Sequence, residues 1–146
     1  RPAFDIPPVA VSSGPLAAVN VSASNTYQKA AEFGPEMAFD NDDSSRWATD
    51  AGTHEAWLEW SVKSPVAVSG LTVSEACGNR VQEFVLLYKR GDQWQTATTG
   101  TGFGERFKAD FPPVTAQDWR LEIRKASEGP TLNEVGLILV KPGAGK

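Results

Sequence analysis

A chain of 146 residues with 40% hydrophobic and 22% charged side chains can bury one core without disulfide staples and is too apolar to remain disordered along its length. Its net charge of −4 repels a polyanion and offers no basic stripe, which excludes nucleic acid as the main partner. No apolar run reaches membrane-spanning length, and the single cysteine, Cys77, excludes an internal disulfide while saying little about compartment.

The opening "RPAFDIPPVAVSSGPLA" holds Pro2, Pro7, Pro8 and Pro15. Proline lacks a ladder donor and restricts the residue before it, so residues 1–16 read as a linker or extended strap. Starting on Arg1, the chain reads as an excised or processed piece. "NVS" at Asn20 fits a glycosylation acceptor, in a segment that reads as a strand, and matters only in a eukaryotic secretory route. In "AWLEWSV", Leu58, Trp60 and Val62 alternate with Trp57, Glu59 and Ser61, the pattern of a strand with one face on a core. "VQEFVLLYKRGDQWQTATT" reads as a hairpin: Phe84, Leu86 and Tyr88 share a face, Arg90-Gly91-Asp92 turns, and the chain returns through Trp94. "ERFKADF" alternates through Phe107, Ala109 and Phe111, and "WRLEIRKA" places Trp119, Leu121 and Ile123 inward. "VGLILV" is a last apolar run, and "KPGAGK", residues 141–146, reads as a flexible tail. Five to eight short strands separated by turns, with no helical period and no internal repeat, predict an all-β domain over residues 17–140, a β-sandwich of two antiparallel sheets.

The stretch "AFDNDDSSRW", residues 38–47, concentrates oxygen-bearing side chains. A solvated Asp/Asn/Ser turn accounts for it most simply. A Ca²⁺ site also fits, since that ion takes roughly six to eight oxygens from carboxylates, hydroxyls and carbonyls in a tight loop. It is not an EF-hand: with Asp40 as position one, Ser45 stands where glycine is needed and Ala51 where glutamate is needed. Paired-carboxylate catalysis fits least, because Asp40, Asp42 and Asp43 are too close in sequence to flank a sugar ring.

"EMAFDNDDSSRWATD" followed by "AWLEWSV" resembles the discoidin (coagulation factor type C) domains, whose Ala-hydrophobic-Asp-Gly-Asp-x-x-Thr-x-Trp signature precedes such a strand. "SEACGNRVQEFVLLYKRGDQW", "TGFGERF" and "VTAQDWRLEIRKASEGPTLNEVGLIL" extend the similarity over about residues 17 to 140. It is greatest to family 32 carbohydrate-binding modules and the accessory domains of family 29 α-L-fucosidases. The resemblance implies a galactose-binding-like jelly roll and a structural Ca²⁺. Asp40 and Ser45 would give side-chain oxygens, Met37 and Asp42 carbonyls, Glu134 the distant carboxylate and Asn133 a further carbonyl. Asn41 stands for the family's glycine, a position asparagine tolerates, and Ser45 for its threonine, keeping the hydroxyl. Arg46 would then be a charge partner at the rim and Trp47 a core residue.

The resemblance further implies that sugars bind at the loop-rich pole, where an aromatic ring would pack on the C–H face of a pyranose and planar polar groups would meet its hydroxyls. The candidates are Tyr27, Asp50, His54, Glu75, Asn79, Arg80 and Phe103. His54 and Arg80 match ligand-contacting positions of the family, and Phe103, among the glycines of "TGTGFGERF", is expected to be a platform with few covering neighbours. Trp57, Trp60, Trp94 and Trp119 read mostly as core, with Trp57 on the outward face.

The leading expectation is a non-catalytic, monomeric carbohydrate-binding module. It would hold a covalently linked, secreted, periplasmic or cell-surface bacterial enzyme on fucosyl, galactosyl or plant or host polysaccharide. The alternative is a structural accessory domain without its own sugar site. Arg90-Gly91-Asp92 as a cell-surface ligand is better explained as turn chemistry, the acidic loops argue against membrane binding, and no strained nucleophile turn supports an enzyme.

Overall fold

The computed structural model describes residues 18–39, 44–75, 80–103 and 107–140. Seven strands form within them: β1 (Val19–Ala23), β2 (Trp47–Ala48), β3 (Ala56–Glu75), β4 (Val81–Arg90), β5 (Gln93–Gly100), β6 (Phe107–Ala126) and β7 (Thr131–Leu139). Every pairing is antiparallel. The order is β2-β7-β3-β6-β4-β5, with β1 also on β3. The other regular elements are three short 3-10 turns, Tyr27–Lys29, Ala31–Phe33 and Pro35–Ala38. No helix among the described residues is long and apolar enough to cross a membrane.

The period-two pattern translates directly into burial. Leu58, Trp60 and Val62 of β3, Phe84 and Leu86 of β4, and Trp119, Leu121 and Ile123 of β6 are all buried. Register sets Trp60 opposite Trp119 and Leu58 opposite Leu121. Each such side chain contributes about 2 kcal/mol on burial, so this row is a substantial part of the fold's stabilisation. The hairpin turns at Gly91 with φ +66, as the Arg90-Gly91-Asp92 reading requires. Trp60 and Trp119 are core residues as expected. Trp94, one of the four tryptophans read mostly as core, is half-buried beneath Lys89 Nζ, 5.8 Å from the ring centroid. Trp57 faces outward beneath the guanidinium of Arg120, which pairs with Glu59 and Glu122.

The strands run beyond the alternating segments that the sequence marks, because the chain passes two interruptions as bulges. Five residue steps separate Ser61 from Val66 on β3, against two from Asp118 to Ala116 on β6. The surplus, Lys63, Ser64 and Pro65, is exposed. Gln117 Nε2 donates to the carbonyls of Val62 and Lys63, both at 3.1 Å, and so caps the bulge. Further along, Val68 and Gly70 face Val114 and Asp110, leaving Pro112 and Pro113 where no ladder N–H is needed.

These bulges divide β3 and β6 into two halves, and in place of two separate sheets the hydrogen bonding is continuous through seven strands. One cluster of buried side chains joins both halves, with Leu58, Phe84 and Trp119 from one and Val68, Leu71, Leu132 and Val135 from the other. This shared core makes the arrangement a β-sandwich. The start of β3, the start of β4, the end of β6 and the start of β7 lie at one pole, where the connecting loops meet.

Candidate functional site

At that pole, Asn25 Oδ1 accepts the N–H of Asp50 at 3.1 Å, and Asp50 Oδ1 accepts the N–H of Gln28 at 2.8 Å. The second bond fixes a turn in which Gln28 and Lys29 hold φ values of 51° and 55°, left-handed conformations that cost L-residues free energy unless their surroundings impose them. The turn presents Tyr27, 36% exposed and the only exposed large hydrophobic among the described residues. Its ring meets Phe33 edge-on, 5.5 Å between centroids, and the guanidinium of Arg46 lies 5.3 Å from the Phe33 centroid.

The opposite wall comes from the loop joining β6 to β7. Thr49 is buried, and its Oγ1 donates to the Pro130 carbonyl at 2.8 Å. Gly129 packs so closely that an added Cβ would lie 2.7 Å from the Asp50 carbonyl. Glu128 Oε1 accepts the N–H groups of Gly52 and Gly129. The Gly52 amide, then the Gly129 amide, and then the charges of Arg80 and His54 hold its carboxyl below the ordinary value of 4.5. Arg80 Nη1 donates to the Gly129 carbonyl at 2.8 Å. Between the walls lies a cavity of about 360 Å³, onto which Tyr27, Phe33, Arg46, Thr49, Arg80 and Glu128 open.

The structure thus brings Tyr27 and Arg80 to one cavity. Asp50 supports the turn that carries Tyr27, and His54 sits beside it, donating from Nδ1 to the Ala126 carbonyl at 2.6 Å. Two candidates need correction. Glu75 is 3% exposed, and its Oε2 accepts the N–H groups of Arg80 at 2.9 Å and Val81 at 3.2 Å. It ties the entry of β4 rather than facing a ligand. Phe103 is 7% exposed, its ring 4.3 Å from Phe84 and 5.3 Å from Phe107. The neighbouring glycines admit core contacts instead of exposing the ring: a Cβ on Gly100 would lie 2.5 Å from the Phe84 ring. Asn79 lies outside the described residues.

Phe33, Thr49 and Glu128 were absent from the candidate set, and Arg46 lies over the Phe33 ring, while Asp40, Asp42 and Asp43, the carboxylates just before it in sequence, lie outside the described residues. The "EGP" turn at Glu128 was the available signal, since it precedes β7 at the pole where Arg80 emerges.

Of the expected metal ligands, Asp40 and Asp42 lie outside the described residues. Met37 is half-buried in the third 3-10 turn. Asn133 Nδ2 donates to the Ser45 carbonyl at 3.2 Å, so the two chain segments expected to share an ion are in contact. Glu134 follows on β7 opposite Ser74. Among the described residues alone, no three His, Cys, Asp or Glu side chains cluster as a metal site.

The F5/8 type C domain profile matches residues 20–136. The chain belongs to this family. No curated protein matches it in sequence. A candidate α-L-fucosidase of Bacteroides thetaiotaomicron is similar in structure, with a TM-score of 0.78 and 24% identity over 86% of this chain. The match covers 28% of that protein, so this F5/8 type C domain spans little more than a quarter of its length. Chitosan-binding module 2 from a chitosanase/glucanase of Paenibacillus sp. IK-5, in complex with chitotriose, gives a TM-score of 0.75 at 17% identity, covering 85% of this chain and 98% of that one. A pectin-binding carbohydrate-binding module gives 0.72 at 20%, covering 87% and 94%. At these identities the likeness establishes the fold, that of discoidin-like and carbohydrate-binding β-sandwiches.

Proposed function

We propose that this domain is a non-catalytic carbohydrate-binding module and that the cavity under Tyr27 is its saccharide site. One observation carries the reading: an exposed tyrosine on a turn held in left-handed conformation faces Arg80 and Glu128 across a cavity of about 360 Å³. An aromatic edge for the C–H face of a sugar and charged hydrogen-bonding groups for its hydroxyls are what recognition of a pyranose requires. The carbohydrate-binding modules of the same fold support the assignment. The likeness to part of a fucosidase supports covalent attachment to a secreted glycan-active enzyme, which the module would keep on fucosyl, galactosyl or plant or host polysaccharide.

A structural Ca²⁺ belongs to the same proposal. Asp40, Asp42, Ser45, Met37, Asn133 and Glu134 would hold it, and the contact between Asn133 and Ser45 supports the pairing of loop and strand. Oxygen donors alone suit this hard cation. It would fix the loop preceding Arg46 and thereby one wall of the cavity.

Calorimetric titration of the 146-residue chain with neutral and acidic oligosaccharides tests the reading. Tyr27→Ala should weaken any observed binding about tenfold, the loss of one stacked ring, without lowering the melting temperature. Binding unchanged by Tyr27→Ala would reject this site. A chelator that leaves the melting temperature unmoved would reject the calcium.

A further inference from the structure

Two pairs of described arginines, Arg120 with Arg124 and Arg46 with Arg80, line separate cavities, and the protein treats them differently. On the sheet face, Arg120 pairs with Glu59 and Glu122, and Arg124 pairs with Glu122 at 2.7 Å. Burial pushes the Glu122 carboxyl up, but hydrogen bonds from Arg120 and Arg124 outweigh it and hold the group below 4.5. Those cations are neutralised within the fold. At the cavity, neither Arg46 nor Arg80 has a carboxylate within 4 Å among the described residues. Arg46 lies over the face of Phe33, an arrangement that leaves the in-plane N–H edges of a guanidinium open to a ligand. Arg80 gives Nη1 to the neutral carbonyl of Gly129. The one carboxylate of the lining, Glu128, already accepts two backbone N–H groups.

We infer that the cavity selects an anionic saccharide, one carrying a carboxylate or sulfate ester that Arg46 and Arg80 receive while the sugar ring packs against Tyr27. The inference rests on the saccharide reading of the same site. Planar guanidinium groups match both oxyanions, and a ligand oxyanion would meet two guanidinium groups that form no ion pair among the described residues. With a chain charge of −4, selection is local and does not come from a long-range attractive field.

Titration of the 146-residue chain with trigalacturonate, its fully methyl-esterified form, a sulfated galacto-oligosaccharide and an uncharged galacto-oligosaccharide decides it. The charged ligands should bind at least about tenfold more tightly than the uncharged ones. This ratio should shrink as salt rises from about 50 mM to about 500 mM. Which anion binds more tightly identifies the source of the charge. Arg46→Gln should collapse the ratio to within about twofold, and Arg46→Lys, which keeps charge but loses planarity, should retain part of it. The ester comparison on the unmodified chain stands even if a variant misfolds. Equal or tighter binding of uncharged ligands would overturn the inference and leave the saccharide reading intact. Failure of all four to bind would reject both.

Discussion

At the scale of single residues, the same sequence feature led to opposite outcomes. Tyr27 and Phe103 both sit among small or polar neighbours in loops, and period-two reasoning says nothing about either. Tyr27 is displayed because its turn is tied from outside by Asp50. Phe103 is swallowed because Gly100 lets the Phe84 ring, on which Phe103 packs, approach the chain. A glycine signals either a loop's freedom or a close approach, and only the partner across the gap decides. Phe103→Ala should therefore destabilise the domain by about 3 kcal/mol, the cost of a truncated core phenylalanine, while saccharide affinity persists well below the melting temperature. Denaturant titration alongside calorimetry checks both parts. A change smaller than about 0.5 kcal/mol would return Phe103 to the surface.

At the scale of elements, the strands whose apolar residues alternate were legible, since Leu58 to Val62 and Trp119 to Ile123 have no other way to bury every second side chain. Their continuation was not. Pro65 and the Pro112-Pro113 pair look like terminators, whereas bulges capped by Gln117 carry the ladder past the first of them. The candidate site was legible by halves for a related reason. Arg80 and Tyr27 stood out individually, but Glu128 gains its role only when the loop after β6 reaches Gly52. That contact has a definite pH signature. The folded carboxyl lies below its ordinary 4.5, so its stabilisation is complete above that value and is lost as pH falls through the folded one. The unmodified chain should melt above Glu128→Gln at neutral pH, and the two should converge below 4.5. Scanning calorimetry across that range checks the sign, and parallel curves would remove Glu128 as a loop tie.

At the scale of the whole molecule, the site has no local foundation. Its walls come from residues 27–33, 46–51, 80 and 128–131, and their relative positions depend on β2 meeting β7, with Trp47 opposite Leu132. The ladders of β3 and β6 continue past two bulges into the core that serves both halves. Removing residues 131–140 should abolish capture of the saccharide, with loss of cooperative unfolding seen by circular dichroism. Retained binding would mean that the pole is organised without β7.

The pairing of Trp47 with Leu132 also reaches into time. A contact closed across most of the domain must await β7, and domains dominated by such distant pairings acquire their shape over roughly milliseconds to seconds. During synthesis Tyr27 emerges ahead of β7, the strand on which its pole depends. The pole is thus completed only when β7 is in place, and a domain lacking β7 would carry Tyr27 and Arg80 without the frame that positions them.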